Sequence, residues 1–395
     1  MTYPERKLGD LLMFQRGFDI TKQQQSDGLV PIVSSSGVSS FHNESKVAGP
    51  GVVIGRKGSL GTVHYLDTDY WPHDTTLWVK DFKANSPRFL SYFLATLHLE
   101  VFDTGSSNPT LNRNHVHKIR VQCAPAPVQR KIAAILATYD DLIANNRRRI
   151  ALLEGVADEI YREWFVRMRF PGHQALGLNG LLPQGWTRRP LGELTKLIKR
   201  GISPDYSDQG EGIILNQKCI RDGKVSLAES RCHETPVPDE KLIRHGDVLI
   251  NSTGVGTLGR VAVFDLAFEG ITCDSHVTIL RPDERRVQPA YLGPTVAFLQ
   301  GYFESMAAGS TGQAELSREL IARTKVMVPT EDLQRLFAER VTSMMCLRRI
   351  LQDAAVVLAD TRDALLPRLI SGRLKVDHLD IRLPPSMRAE AEATA

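Results

Sequence analysis

The chain is built from two copies of one unit, and this repetition constrains its fold more than any other feature of the sequence. Residues from 121 to about 160 match residues from 326 to about 365 at a constant spacing, defined by Gln129 and its counterpart Gln334 (334 − 129 = 205). A fixed spacing between long similar segments indicates that one structural unit has been duplicated. The contents of that unit therefore govern both the fold and the function.

Each copy contains a long segment with the apolar periodicity of a coiled coil. Alternating steps of four and three residues define ten positions in each copy, here called the seam positions. In the first copy nine of the ten are apolar or aromatic: Ile132, Leu136, Tyr139, Ile143, Asn146, Ile150, Leu153, Ala157, Ile160 and Trp164. Their counterparts 205 residues later include eight apolar residues: Phe337, Val341, Met344, Arg348, Leu351, Ala355, Leu358, Arg362, Leu365 and Leu369. Two long helices are therefore predicted.

These helices need a partner along their whole length. About 38 helical residues span about 57 Å, and an apolar stripe of that length has to be covered. The nearest partner is the other copy, so we expect an antiparallel pair in which Asn146 helps to fix the register. The alternative is that each helix packs on its own globular domain. Pro367 is expected to kink the second helix or to end it early.

The part that precedes each long helix is also repeated, with loops of different length. Residues 58–63 (GSLGTV) parallel 256–261 (GTLGRV), and residues 74–77 (DTTL) parallel 274–277 (DSHV). Short strands bounded by turn residues are predicted at 51–55, 77–79, 247–250 and 277–280. Helices with bulky apolar faces are predicted at 88–102 and 290–303. The predicted class of each globular part is α+β.

The predicted architecture is two similar α+β globular domains separated by a pair of long antiparallel coiled-coil helices, with an internal pseudo-two-fold repeat. The tail is rich in Pro, Ala and Glu from residue 384, which favours disorder. The predicted parts are a first globular domain (1–125), a central long helix (126–170), a linker (171–187), a second globular domain (188–328), a distal long helix (329–373) and a disordered tail (374–395).

Composition narrows the class of protein. No apolar run approaches the ~18 residues of a membrane span, and the N-terminal residues lack the apolar region of a signal peptide, so a cytoplasmic protein without a membrane partner is expected. The 5 cysteines are scattered and form no C-x-x-C pair, which disfavours a disulfide framework and structural zinc. The net charge of +4 neither requires nor excludes a nucleic-acid partner.

The sequence contains no complete catalytic motif that we recognise. It has no G-x-x-x-x-G-K-[ST] phosphate loop. His73 and Asp74 are adjacent, but no nucleophile is suitably spaced, and such a pair more often makes a local hydrogen bond. The chain is interpreted as a reader and a scaffold, not as a catalyst.

Three segments resemble the specificity subunit of type I restriction-modification systems. Residues 163–173 (EWFVRMRFPGH) and 365–374 (LLPRLISGRL) follow the two long helices, and residues 251–261 (NSTGVGTLGRV) resemble the target-recognition loop of that family. The resemblance covers nearly the whole chain in the order of the family: recognition domain, helix, recognition domain, helix. The first copy departs from the pattern, because residues 54–57 (IGRK) replace the Ser-Thr-Gly form.

The resemblance implies a non-catalytic subunit whose two domains each read one half of a bipartite, asymmetric target in double-stranded DNA. It implies two modification subunits that methylate adenine N6 with S-adenosylmethionine, and motor-nuclease restriction subunits that use ATP and magnesium. The chain itself is expected to hold no cofactor, no metal and no catalytic residue. The helix pair is expected to set the separation of the half-sites, as dimer geometry does in other DNA readers.

The candidate DNA contacts are polar and basic residues, because such groups read base edges and phosphates, and the glycine-rich loops allow close approach of the backbone to DNA. The candidates of the first domain are Ser35, Ser36, Arg56, Lys57, Ser59, Thr75 and Arg113. The candidates of the second domain are Asn216, Gln217, Lys218, Ser252, Thr253, Thr257, Arg260 and His276. The alternative for each is a structural turn residue or a solvated polar group, and we expect fewer than half to touch DNA.

Two other classes of function stay open at this point. The modest net charge is also compatible with a coiled-coil adaptor that carries two protein-reading domains. A self-contained methyltransferase or nuclease is disfavoured by the missing motifs.

Overall fold

The structure, a computed structural model, describes residues 3–102, 110–175, 178–179, 182–308 and 315–387. The chain divides into two compact units: unit 1 comprises residues 1–150 and 350–395, and unit 2 comprises residues 151–349. Among the described residues, no helix combines the length and the apolar character that crossing a membrane requires. Each unit contains part of both long helices, so each is described separately.

Unit 1 combines short strands with short helices and the first half of a long helix. Its strands are β1 (Glu5–Lys7), β2 (Met13–Arg16), β3 (Val30–Ser34), β4 (Gly37–His42), β5 (Gly51–Gly55), β6 (Val63–Leu66), β7 (Trp71–Pro72), β8 (Thr76–Asp81) and β9 (Arg120–Gln122). Its helices are α1 (Leu8–Leu11), α2 (Pro87–Ala95), α3 (Arg113–Val116) and the start of α4 (Ala126–Tyr161). The strands form a four-stranded antiparallel sheet in the order β2-β8-β5-β6, a three-stranded sheet in the order β4-β3-β7, and the pair β1-β9.

Unit 2 repeats this plan with additional strands. Its strands are β10 (Leu178–Asn179), β11 (Leu182–Pro183), β12 (Thr187–Pro190), β13 (Thr195–Arg200), β14 (Gly212–Leu215), β15 (Ile220–Arg221), β16 (Lys224–Val225), β17 (Arg231–His233), β18 (Val248–Asn251), β19 (Val261–Val263), β20 (Thr272–Cys273), β21 (Val277–Pro282) and β22 (Lys325–Val328). Its helices are α5 (Pro289–Phe298), α6 (Gln300–Ala308), α7 (Arg318–Arg323) and the start of α8 (Glu331–Ile370).

The sheets of the two units have the same topology. The order β13-β21-β18-β19 in unit 2 matches β2-β8-β5-β6 in unit 1, and β17-β14-β20 matches β4-β3-β7. In both three-stranded sheets the central strand pairs antiparallel with one neighbour and parallel with the other. The duplication and the predicted α+β class are therefore confirmed in the fold.

The core of each unit lies between the four-stranded sheet and helices. In unit 1 Val52 and Ile54 of β5 share a buried cluster with Phe89 of α2 and Ile132 of α4. In unit 2 Val248 and Ile250 of β18 share a buried cluster with Tyr291 of α5 and Phe337 of α8. The β-branched residues suit the central strands because both faces of those strands are covered.

The long helices pack antiparallel within each unit. In unit 1 Arg362 Nη1 donates a hydrogen bond to Asp140 Oδ1 (2.6 Å), and Leu369, further along α8, is buried in the same cluster as Ile132, earlier on α4. In unit 2 Arg348 forms an ion pair with Glu154 (3.5 Å). Phe337, earlier on α8, packs against Trp164, in the π-helical turn (Arg162–Val166) that follows α4, with ring centroids 5.9 Å apart. All seam positions of both helices are buried or half-buried.

Polar groups interrupt the apolar seam at different places in the two units. The pair of Asp140 and Arg362 in unit 1 corresponds, at a spacing of 205 residues, to Met345 and Ala157 in unit 2, which pack against an apolar cluster. Conversely, Arg348 of unit 2 pairs with Asp265 as well as Glu154. Because a buried charge needs its partner, these pairs favour one register of the helices.

Three features of the fold differ from the expectations. Helix α8 continues through Pro367 to Ile370, because the proline lies in the last turn, where it removes a single backbone bond, and because Leu369 and Ile370 are buried. The segments 88–102 and 290–303 are interrupted: α2 ends at Ala95, and a break at Leu299 separates α5 from α6.

The third difference concerns the tail, which was expected to be disordered over residues 374–395. Val376 and Met387 are 1% and 2% exposed and belong to the core of unit 1. The Ser386 amide donates a hydrogen bond to Asp141 Oδ2 (3.2 Å). Composition does not predict this packing, because a few apolar residues are enough to hold a segment against an apolar surface that the rest of unit 1 has already formed. Residues 388–395 lie outside the described residues.

Candidate nucleic-acid interface

The first candidate site is built around a glycine-rich turn between β5 and β6, here called the first glycine loop (residues 56–62). Gly61 N donates to the Gly55 carbonyl (3.0 Å), which closes the loop. Gly58 and Gly61 adopt φ angles of +74° and +71°, a region that favours glycine because it has no Cβ. A Cβ on Gly61 would also lie 2.8 Å from the backbone N of Glu100. The loop can therefore approach other parts of the backbone closely.

Backbone hydrogen bonds connect this loop to two neighbouring turns. The amides of Arg56 and Lys57 both donate to the Thr75 carbonyl (2.9 and 3.0 Å). Thr62 Oγ1 donates to the Ser35 carbonyl (2.5 Å), and the Ser35 amide donates to Thr75 Oγ1 (3.4 Å). The turn after β3, the first glycine loop and the turn before β8 thus form one surface.

This surface is rich in cations. Arg16 forms an ion pair with Asp74 (2.8 Å), and Arg56 lies beside both of them. Burial, together with the nearby Arg16, lowers the pKa of Arg56. Burial alone would raise the pKa of Asp74, but the hydrogen bond from Arg16 and the charges of His73, Arg16 and Lys57 hold it below its usual value. A group of cations of this kind favours the binding of a polyanion.

The ligand-type atoms of Asp19, His73 and Asp74 lie within 4.8 Å of one another, which is close enough to share an ion. Arg16 already neutralises Asp74, and His73 Nδ1 lies 3.1 Å from Thr75 Oγ1. Two of the three residues, His73 and Asp74, therefore already have protein partners, and the group carries no metal assignment. The local hydrogen bonding expected of His73 is present.

Unit 2 contains an equivalent turn between β18 and β19, here called the second glycine loop (residues 252–260). Gly259 N donates to the Asn251 carbonyl (2.8 Å), and the Ser252 amide donates to the His276 carbonyl (2.8 Å). Gly256 and Gly259 have φ angles of +74° and +85°, close to those of Gly58 and Gly61. The two loops share a framework, although the second contains two more residues before its φ +74° glycine.

A polar network supports the second glycine loop. Gln217 Nε2 donates to Thr253 Oγ1 (2.9 Å), and Thr257 Oγ1 donates to Gln217 Oε1 (3.3 Å). Thr253 Oγ1 lies 2.6 Å from His276 Nδ1. Asn251, which is fully buried, donates to the carbonyls of Gln217 (3.0 Å) and Thr257 (3.1 Å). These bonds hold loop residues in place before any ligand binds.

The hydrogen bonds correct one correspondence between the copies. The sequence pairs Asp74 with Asp274, but the Thr76 amide bonds to the His73 carbonyl as the Val277 amide bonds to the Asp274 carbonyl. Asp274 therefore corresponds to His73, and His276 corresponds to Thr75. The sequence alignment is displaced by one residue because both turns contain an Asp followed by a hydroxyl residue.

The structure brings most of the predicted residues together, in one cluster per unit. Ser35, Ser36, Arg56, Lys57, Ser59 and Thr75 lie on the three connected turns of unit 1. Gln217, Thr253, Thr257 and His276 belong to the network of unit 2, and Arg260 Nη2 donates to the Gly256 carbonyl (2.9 Å). Lys218 is exposed next to Gln217.

Three predicted residues have other positions or roles. Ser252 is 0% exposed, and its Oγ lies 2.6 Å from Thr278 Oγ1, so it holds the loop and offers no surface group to DNA. Asn216 is occupied as a helix cap, because its side chain accepts from the Lys218 amide (2.8 Å) and donates to the Glu229 carbonyl (2.6 Å). Arg113 is exposed at the start of α3. The segment before α3 is connected to the cluster by the Leu111 amide, which donates to the Arg56 carbonyl (3.0 Å).

Sequence reasoning missed Arg16, Asn251 and Val255. Arg16 lies at the end of a strand whose pairing brings it beside Asp74, and nothing in its local sequence indicates that. Asn251 was visible as the first residue of the loop motif. Val255 is completely exposed (106%) between Gly254 and Gly256.

The chain is similar to proteins described as specificity subunits of type I restriction enzymes. Residues 2–155 match the family described as "Type I restriction modification DNA specificity domain". The specificity subunit of the type I restriction enzyme MjaIX from Methanocaldococcus jannaschii is 22% identical over 291 residues, which cover 71% of this chain and 67% of that protein. The MjaX specificity subunit of the same organism is 20% identical over 274 residues, 68% of this chain and 62% of that protein. The aligned part thus spans about two thirds of these relatives.

A solved structure shares the fold. The S subunit of a type I restriction-modification system from M. genitalium superposes with a TM-score of 0.63, covering 93% of this chain and 96% of that chain at 16% sequence identity. At this level of identity the likeness extends to the architecture and not to individual side chains.

Proposed function

We propose that the chain is a specificity subunit of a type I restriction-modification system and that it selects the DNA sequence on which the complex acts. Residues 2–155 match the family of DNA specificity domains, and a specificity subunit aligns over 71% of the chain. One observation supports this proposal more strongly than any other. The same loop framework, closed by the same backbone hydrogen bonds, occurs once in each unit and presents different side chains. Such an arrangement suits the reading of two different short sequences.

Each unit would read one half of a bipartite target in double-stranded DNA. The first glycine loop presents Arg56 and Lys57, whereas the second presents Thr253, Thr257 and Arg260. Base edges are read by hydrogen-bonding side chains, and phosphates are bound by cations and backbone amides. Since the side chains differ between the loops, the half-sites should differ, and the complete target should be asymmetric.

The helix pair would set the separation of the half-sites and carry the partner proteins. These partners would be two adenine-N6 methyltransferase subunits and the restriction subunits. Outside the seam the long helices expose apolar side chains, among them Leu152 (68%) and Val357 (63%). Exposed apolar groups of this kind are typical of surfaces that partners cover. The internal repeat would allow two identical subunits to bind in equivalent ways.

In this proposal the chain is not an enzyme and binds no cofactor. S-adenosylmethionine, ATP and magnesium would belong to the partner subunits. Methyl transfer by the purified chain alone would contradict this part of the proposal.

The test is methylome sequencing of a host that expresses the chain together with the methyltransferase from the same locus. We expect a bipartite, asymmetric N6-methyladenine motif that disappears when this chain is deleted. If an active methyltransferase gives no such motif, the proposal fails. A gel-shift series with mixed duplex DNA would then show whether the chain is instead an adaptor without affinity for nucleic acid.

A further inference from the structure

The tips of the two glycine loops differ in chemistry at one equivalent position. In both loops two residues separate a glycine with φ +74° from the closing glycine. The residue immediately before the glycine with φ +74° is Lys57 in the first loop and Val255 in the second. The same frame therefore carries a cation at the tip in unit 1 and an aliphatic side chain in unit 2.

Val255 packs against no other side chain in the part of the chain that the structure describes. Its relative exposure is 106%. Both neighbours are glycines, with φ angles of +102° at Gly254 and +74° at Gly256, so no adjacent side chain can shield it. The second loop is also two residues longer before Gly256, which adds length at its tip. The whole side chain of Val255 is therefore available for contact with a partner.

The surroundings of Val255 indicate what that partner is. Arg260 Nη2 is held at the Gly256 carbonyl (2.9 Å), which positions a cation next to the tip. Behind the tip, Gln217, Thr253 and His276 form a polar network. A cation, hydrogen-bonding side chains and one aliphatic group together match the edge of a base pair in the major groove, where the aliphatic partner is the C5 methyl of thymine.

Resting on the function proposed above, we propose that Val255 is a specificity-determining residue that contacts the methyl group of one thymine in the half-site read by unit 2. The contact removes the valine side chain and the thymine methyl from water together. Loss of one methyl from such a contact weakens binding roughly fourfold. Lys57, at the equivalent tip of unit 1, would contribute charge and no methyl recognition.

The experiment uses the full chain in complex with its methyltransferase, after the motif has been established. Each thymine of the motif is replaced singly by deoxyuridine, which keeps the Watson–Crick edge and lacks only the methyl. Wild type and Val255→Ala are compared on thymine and uracil duplexes, which gives a double-mutant cycle. Because Val255 is fully exposed, the substitution removes no packing within the chain.

The expected result is one thymine whose replacement weakens binding of wild type roughly fourfold and leaves binding of the Val255→Ala variant unchanged. Leu29→Ala is the matched control, because Leu29 is a 91% exposed aliphatic residue outside both loops, and it should retain the wild-type preference for thymine. Val255→Thr, which keeps the shape of the side chain, should retain part of the preference.

Three outcomes overturn the inference while the proposed function stands. They are the absence of any thymine whose replacement by uracil weakens binding of wild type, an equal response to uracil in wild type and Val255→Ala, and loss of the methyltransferase from the complex in the Val255→Ala variant. If the complex bound the motif no better than scrambled DNA, the result would instead contradict the proposed function itself.

Discussion

At the scale of single residues, the same side chain can be repeated for structural or for functional reasons, and its contacts separate the two. Gln129 and Gln334 are 1% and 4% exposed. Each uses Nε2 to donate to a carbonyl before its own long helix, and its Oε1 accepts from the amide of the residue that caps the N-terminus of a preceding helix. Lys57 and Val255, in contrast, are exposed and differ between copies. The repeated residues hold the frame, and the divergent residues present a surface.

Replacement of Gln129 by Met should destabilise unit 1 by about 1–3 kcal/mol, because it removes two buried hydrogen bonds, one from the Ser86 amide and one to the Ala124 carbonyl. Chemical denaturation followed by circular dichroism measures the change. The matched control is Arg130→Met, at the exposed neighbouring position, for which we expect a change within about 0.5 kcal/mol. Equal effects of both substitutions would contradict the assigned role.

Replacement of Lys57 by Ala should weaken binding to target DNA and reduce the slope of log affinity against log salt concentration by ~0.9, if the ammonium contacts one phosphate. Titration of a labelled duplex at several salt concentrations gives the slope. Lys80→Ala, at an exposed position further along strand β8, serves as the control. An unaltered slope in the Lys57 variant would exclude the phosphate contact.

At the scale of elements, the seam explains why two helices of this length are stable. The π-helical turn after α4 and the start of α8 meet in an aromatic cluster: the Phe165 ring centroid lies 5.0 Å from that of Phe337 and 4.7 Å from that of Tyr291. Burial raises the pKa of the Tyr161 hydroxyl, next to this cluster, to about 12. Aromatic rings contribute more buried area per residue than any other side chain. The cluster therefore fixes the helix ends onto unit 2.

Replacement of Trp164 by Ala should destabilise unit 2 by ~3–5 kcal/mol, because the indole is only 7% exposed at the end of the seam. The free energy of unfolding from a denaturant series checks this. Val166→Ala, two residues later and 40% exposed, should have a small effect. If the Trp164 variant were as stable as wild type, the indole would have to be exposed in solution.

At the scale of the whole molecule, the proposed function predicts that the length of the helix pair determines the number of base pairs between the two half-sites. A heptad added to each long helix preserves the seam and adds about 10.5 Å at ~1.5 Å per residue. At 3.4 Å per base pair this corresponds to about three base pairs. The spacer of the methylated motif should lengthen accordingly, and both half-sites should stay the same.

Methylome sequencing of the heptad variant provides the measurement. An insertion of seven Gly and Ser residues at the exposed turn of Gly223, where no atom lies within 4 Å of an added Cβ, is the control and should leave the motif unchanged. A heptad variant that remains active with the original spacer would show that the helices do not set the separation.

The sequence by itself determined the duplication, the α+β class, the two long helices and their seam. These properties follow from periodicity and from repeated residues. Both can be recognised in the sequence without knowing which distant residues are in contact. It also located the glycine loops, because positive φ angles select glycine in any context.

The tertiary structure alone decided which residues of those loops face outward. Ser252 and Val255 belong to one motif, yet the first is fully buried and the second fully exposed. The correspondence of Asp274 with His73, the position of Arg16 beside Asp74 and the packing of Val376 and Met387 likewise depend on partners far away in the chain. Exposure and pairing are properties of the assembled sheets, and no local pattern encodes them.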